Sequence, residues 1–355
     1  MLAFFLGYVT VKYGIFICFN SHIIYIGFLW ESIMNNGEFM QLISNLRDLD
    51  HHQRKRLSAT LNQVGDDAKV FDLIESCIEA NSACPHCASP DLHRFGCAGG
   101  LQRYRCQQCR KTFNALTGTP LARLRDKPKW LSYLAAMKQS LTVRQAAVDT
   151  GIHRNTSFRW RHRFLSWISQ DRPPELKGIT EADETYLLES GKGKRNLGRA
   201  PRKRGGSATK RGISDEQICV LVARDRAGQT LDFVMGNGAL TKARLTSALK
   251  PKLAADALLV SDANPTYTAF CDAEGFSHET VNLSQGQRVN GAYHVQIVNA
   301  YHSRFKQWLA RFHGVATHYL PNYLGWRRAF EQHPQMEPEI LLNVALGNFQ
   351  YLTVT

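Results

Sequence analysis

The sequence predicts an α/β architecture: a sheet of mixed direction preceded by a small metal ribbon and a helix-turn-helix. Three observations carry that expectation. Two Cys-x-x-Cys pairs, Cys84-Pro-His-Cys87 and Cys106-Gln-Gln-Cys109, stand eighteen residues apart. Thr142-Val-Arg-Gln145 has the form of a capping box at the start of a short helix. Beyond Pro173-Pro174 the periodicity switches to strands alternating with helices.

Residues 1–33 form an apolar extension, and within Met1–Trp30 the sole charged residue is Lys12. The stretch is long enough for a membrane span. A signal peptide fits less well, because no basic segment leads it and no small-residue cleavage site follows. The character changes abruptly at Met34 or Met40, which points to translation starting at one of these and to an upstream stretch that is not a true span. Residues 41–80 then read as one or two short helices, with Leu42, Ile43, Leu46, Leu49, Leu57, Leu61, Phe71 and Ile74 as apolar contacts.

The ribbon covers residues 82–117. Each Cys pair would form a knuckle, and the hairpin between them would bring four thiolates around one Zn²⁺. Disulfides or unrelated thiols are the alternatives. Nine cysteines, five of them without pairing logic, favour a reducing compartment and hence the cytoplasm. Arg103, Tyr104, Arg105, Arg110 and Lys111 surround the second knuckle, which suits nucleic acid. So does the whole chain: a net charge of +14 calls for a polyanionic partner, nucleic acid first and an acidic membrane surface second.

The helix-turn-helix is expected over residues 125–170. Gly151 would end the first helix, and Ile152 would fill the angle. The second helix, His153–Ile168, carries Arg154, Arg159, Arg161 and Arg163, interleaved with Trp160 and Phe164. In such a motif the second helix enters the major groove. A helical hairpin with a solvated basic face is the alternative.

Residues 177–335 read as the sheet domain and residues 336–355 as a C-terminal helix. Strands are expected at Ile179–Leu188, Gln217–Arg224, Thr230–Met235, Ala257–Asp262 and His278–Leu283. Helices are expected at Thr241–Leu253, Pro265–Ala273 and Tyr293–Phe312. Between the first two strands, Lys192–Arg211 holds nine cations and no acid, including Arg202, Lys203 and Arg204. Such a loop is expected to be mobile when free and to clamp phosphates when DNA is present.

Asp183 lies mid-strand and Asp262 ends a short apolar strand. If those strands are parallel neighbours, the carboxylates converge into an oxygen site for Mg²⁺ or Mn²⁺. Otherwise Asp183 is an ordinary strand residue and Asp262 a helix cap. On the last helix of the domain, Val298, Tyr301, Phe305, Trp308, Leu309 and Phe312 make one apolar face. Asn299, Ser303 and Lys306 lie beside it with His302 at the margin. They form either a third ligand with a phosphate contact or a stripe facing water.

The order of ribbon, helix-turn-helix, Asp183-Glu-Thr-Tyr strand, Ser261-Asp262 strand end and Tyr293–Lys306 helix resembles bacterial insertion-sequence transposases with a zinc ribbon and an ISXO-like catalytic domain. Gly314–Arg328 resembles that family's C-terminal signature, and the resemblance runs from about residue 40 to about 335. It implies a ribonuclease-H-like catalytic domain. By motif it also implies a metal triad of Asp183, Asp262 and Asn299, the last where many relatives carry Glu, with Lys306 as the downstream basic residue. Glu184 is left out because strand alternation turns it to the other face, and His302 is a candidate phosphate helper. The partners implied are double-stranded DNA (terminal inverted repeats and target DNA) and further copies of the chain on DNA, with no small-molecule substrate. Rival readings are a non-catalytic DNA-binding regulator with a degenerate catalytic domain, and a metal-dependent nuclease that cuts without joining.

Overall fold

The computed structural model of the protein describes residues 9–11, 14–19, 22–26, 35–80, 82–202, 205–282, 289 and 291–348, and the chain divides into two compact units, residues 1–64 and 65–355. In the first unit, β1 (Val9–Val11), β2 (Gly14–Phe19) and β3 (His22–Ile26) form an antiparallel meander. The described backbone of the apolar stretch is therefore extended, and no helix among the described residues is long and apolar enough to cross a membrane. Helix α1 (Asn36–Asn45) starts five residues before the expected Gln41, because Asn35 and Glu38 exchange hydrogen bonds in a capping box. Leu42 and Ile43, expected as core contacts, are each 43% exposed. One long helix, α2 (His51–Ala80), replaces the second short one, and reciprocal hydrogen bonds between Asp50 and Gln53 mark its start.

In the second unit, Val70 and Ile74 of α2 are fully buried. The ribbon is a three-stranded antiparallel sheet of β4 (Leu92–Ala98), β5 (Leu101–Cys106) and β6 (Thr112–Phe113). Helices α3 (Trp130–Lys138), α4 (Val143–Asp149) and α5 (Arg154–Ile168) follow. The capping box at the head of α4 is present: the Thr142 hydroxyl accepts from the Gln145 amide, and the Gln145 side chain accepts from the Thr142 amide.

The main sheet consists of β7 (Ile179–Leu188), β8 (Gln217–Asp225), β9 (Thr230–Asn237), β10 (Leu258–Asp262) and β11 (Ser277–Val281). Its order is β11-β10-β7-β8-β9; the first three strands in sequence are antiparallel neighbours, while β10 and β11 run parallel to β7. This is the ribonuclease-H-like mixed sheet. Helices α6 (Lys242–Leu249) and α7 (Pro265–Glu274) cover one face, and α8 (Gln296–Ala310) and α9 (Leu320–Gln332) the other, with α10 (Pro338–Leu346) closing the chain. Strand alternation sorts the two cores. Cys219, Leu221 and Ala223 of β8 pack with Leu245, Leu249, Tyr267 and Phe270, whereas Ile218, Val220 and Val222 pack with Val298, Tyr301, Phe305 and Trp326. That second core also takes in Trp130, Trp160 and Phe164 of α3 and α5, so these helices and the sheet share one apolar interior.

Candidate active site and nucleic-acid interface

Pairing of β10 with β7 decides the site. Leu258 lies opposite Ile179, Leu259 opposite Thr180 and Val260 opposite Glu181. Two residues further along this register, Asp262 stands level with Asp183. Both share the α8 face with Glu181 and Val260, since residues two apart on a strand face the same way. Burial, then the charges of Glu184 and Asp262, push the Asp183 carboxyl up to about 7, with Lys306 opposing the shift. The His302 ring nitrogen Nδ1 lies 3.7 Å from an Asp183 oxygen. Burial, then Lys306, holds His302 down to about 4, so near neutrality this contact is not an ion pair.

Asn299 precedes His302 by one helical turn and Lys306 follows it by one, so all three share a side of α8. Asn299 and Lys306 are exposed, whereas His302 is buried. The orientation of α8 is fixed by Glu181, a fully buried carboxylate that accepts from the Ile297 and Val298 amides at 2.8 and 3.2 Å and pairs with Arg226 and His294. Negative charge at a helix N-terminus satisfies its orphan amides and its dipole.

Glu184 does leave by the opposite face, yet it is tied to the cluster. Tyr267 donates its hydroxyl to Glu184 at 2.7 Å and Asn264 its side-chain amide at 2.9 Å, while the Asn264 backbone amide donates to Asp262. Burial raises the Glu184 carboxyl as well. Asn264 also caps α7. Pro265 after an Asn is a legible helix start, but nothing in the sequence ties that cap to Glu184.

The four cysteines of the ribbon meet. Cys84 and Cys109 sulfurs are 3.6 Å apart, as are those of Cys87 and Cys106, and all four lie within 4.8 Å of one another. Sulfurs around one tetrahedral metal at about 2.3 Å would be about 3.8 Å apart. The amides of His86 and Cys109 donate to the Cys84 and Cys106 sulfurs. The Cys109 amide is the largest influence holding the Cys106 thiol down to about 6. This donor set fits a metal ion.

Several expected phosphate contacts need correction. Arg154 and Arg159 are exposed on α5. Arg161 is not: it is fully buried, donates to the Leu141 carbonyl at 2.7 Å and lies over the Phe312 and Trp326 rings. It faces inward because Trp160, Arg161, Phe164 and Leu165 form the buried side of the helix. Arg163 spends its guanidinium on the Pro120 and Ala122 carbonyls. Arg202 donates to the Glu189 carbonyl at 2.7 Å and pairs with Glu216, while Lys192 donates to the His313 and Gly314 carbonyls. The Thr209 amide, with Arg202 helping, holds the Glu216 carboxyl down to about 2. The expected free loop is thus pinned at Lys192 and Arg202; Lys203 and Arg204 lie outside the described residues. A basic cleft of about 850 Å³ opens between ribbon and α5, lined in part by Arg103, Arg123, Lys127 and Arg159.

Residues 175–327 match the ISXO2-like transposase domain. An uncharacterized protein in transposable element ISH50 of Halobacterium salinarum is 30% identical over 254 residues, covering 70% of this chain and 83% of that protein. Among solved structures, a pre-cleavage Mos1 transpososome is similar over 61% of this chain and 78% of its own, at 12% identity and a TM-score of 0.21. A mariner Mos1 paired-end complex with Mg covers 66% and 81%, at 15% identity and a TM-score of 0.23. Matched over its transposase domain and along most of a transposable-element protein, the chain belongs to the ISXO2-like family of insertion-sequence transposases.

Proposed function

We propose that the chain binds the terminal inverted repeats of its own element as double-stranded DNA and carries out metal-dependent strand cleavage and strand transfer, as a homo-oligomer on DNA. Asp183, Asp262 and Asn299 would hold Mg²⁺ or Mn²⁺, an all-oxygen set that hard divalent cations prefer. The observation that carries the reading is that β10 runs parallel beside β7, with Asp262 and Asp183 each two residues beyond the last paired residues, Val260 and Glu181. The charges of Glu184 and Asp262 both reach Asp183, with Lys306 opposing, a surplus of negative charge that a divalent cation would relieve. When bound, the ions would neutralise charge on the attacking and leaving oxygens of an in-line displacement.

Water would attack the phosphodiester at the element's end, breaking the bond to the 3′ oxygen, which leaves as a hydroxyl. That hydroxyl would then attack a target phosphodiester in line, forming a new bond to phosphorus and displacing the target strand's own 3′ oxygen as a hydroxyl, with no covalent protein intermediate. Lys306 would contact the phosphate, and positioning would supply much of the rate. The cysteine site would hold a structural Zn²⁺ that shapes the ribbon, and Arg154 and Arg159 would contact the DNA backbone from α5.

The test is strand transfer with end duplexes and Mg²⁺. Asp183→Ala and Asp262→Ala each abolish transfer and leave binding to the terminal repeats nearly intact. Unchanged transfer in either variant refutes the site. Repeat binding without cleavage or transfer by the native protein, whichever divalent ion is supplied, would favour a non-catalytic regulator.

A further inference from the structure

We infer that the cavity between α5 and the α8–α9 loop is a binding pocket for a single nucleotide of the DNA turned out of its duplex; this rests on the transposase reading and specifies what that protein grips. The cavity measures about 750 Å³, within the range of roughly 300–1,000 Å³ typical of small-ligand pockets. Its chemistry has three parts.

The wall is aromatic. Tyr319 stacks on His162 at 3.5 Å between ring centroids and 14° between planes, and Phe158 meets both edge-on at 5.5 and 4.6 Å. Phe158 is 43% exposed although it sits in this ring cluster. An exposed aromatic beside a stacked pair offers a face to a base, and any base supplies a matching π-face.

The rim is cationic. Arg144, Arg154 and Lys192 line the opening, and no acidic residue lines it among the described residues. Arg144 and Arg154 would meet phosphates flanking an extruded nucleotide, Lys192 being held by the His313 and Gly314 carbonyls, and this charge favours an anionic ligand over a neutral aromatic one.

The floor is a buried cation that no carboxylate neutralises. Arg161 lines the cavity and is 0% exposed, and its Nη2 donates to the Leu141 carbonyl. Its side chain also hydrogen-bonds the Tyr133 and Tyr323 hydroxyls, but no carboxylate pairs with it among the described ion pairs. A buried charge without a counter-ion is costly. The acceptor-rich edge of a base would offset that charge, since arginine commonly donates to base nitrogen and carbonyl oxygen. The cavity also shares Gly314 and Val315 with a recess lined by Lys306, which places the pocket next to the proposed cleavage site. A nucleotide held here would be extracted close to the scissile bond.

The experiment uses terminal-repeat duplexes carrying 2-aminopurine at successive positions near the cleavage point, titrated with full-length Asp262→Ala protein that leaves the DNA uncut. At one position the emission changes about threefold or more as the base leaves the stack. Phe158→Ala, at an exposed site, removes that change and weakens binding about tenfold. An abasic residue at the same position makes the two proteins bind alike. If no position responds, or if the response survives Phe158→Ala, the pocket is overturned while the transposase reading stands. Absence of any repeat-specific binding overturns both.

Discussion

A methyl group placed on Gly325 would lie 2.4 Å from the Ser169 Cα and 3.0 Å from its amide nitrogen. Backbone, not a flexible side chain, is what it would strike. Gly325 thus sets how closely the end of α5 approaches α9. Gly325→Ala is expected to destabilise the protein by about 1–3 kcal/mol through overpacking. Chemical denaturation measures this, and a wild-type midpoint would mean that the two helices separate at little cost.

Glu181 offers a second test. Glu181→Gln keeps the shape but loses the charge facing two helix amides, Arg226 and His294, and should cost about 1–3 kcal/mol. Because the same carboxylate orients the helix bearing Asn299 and His302, strand transfer should fall while repeat binding stays near wild type. Equal losses in binding and transfer would point to general unfolding instead.

The salt dependence of DNA binding should distinguish neighbouring arginines. Arg159→Ala removes an exposed cation and should weaken binding to every sequence while lowering the salt slope by about one. Arg161→Ala removes a buried one, so its first effect should be a lower melting temperature. Filter binding at several salt concentrations, paired with thermal melts, separates the two outcomes.

Acid sensitivity is traceable at His162. Burial, with Arg161 and His318 adding to it, holds His162 down to about 4, below the usual value near 6.5. Its Nδ1 is paired with the Asn322 side-chain amide at 3.3 Å. In the window between these values the unfolded chain binds a proton that the folded chain refuses. The stability contribution is therefore complete above about pH 6.5 and is lost as the pH falls towards 4. Melting His162→Gln alongside wild type at about pH 7 and pH 5 should show the smaller acid loss in the variant.

Metal removal gives the fifth prediction. One equivalent of zinc per chain is expected by elemental analysis, and a strong chelator or Cys84→Ser should unfold the ribbon and reduce repeat-specific binding. Undiminished specific binding after verified metal loss would remove the ribbon from recognition.

The individual strands are legible because most are short apolar runs closed by turn residues, whereas their order is not: the sequence offers β7 and β10 as parallel neighbours only as a condition for Asp183 and Asp262 to converge. The cysteine spacing was equally plain, since two knuckles leave little geometric freedom. Charge was misleading. Arg161, Arg163 and Arg202 look like phosphate contacts in a basic sequence, but their guanidiniums satisfy carbonyls and rings contributed by Leu141, Pro120, Glu189 and Trp326. Such long-range partners leave no periodic trace. Glu184 was assigned to the far face correctly, yet its link to Asp262 runs through Asn264, which strand alternation alone does not show.

The basic segment between β7 and β8 leaves and re-enters the sheet at an antiparallel hairpin, whereas Asp262 comes beside Asp183 on a different, parallel neighbour. The two lie on opposite edges of β7. Loops of other lengths or charges could be grafted at that hairpin, if Lys192 and the Glu216 partner of Arg202 are kept, without shifting the carboxylates. Chimaeras exchanged there are the natural route to retargeting such a protein while keeping its chemistry.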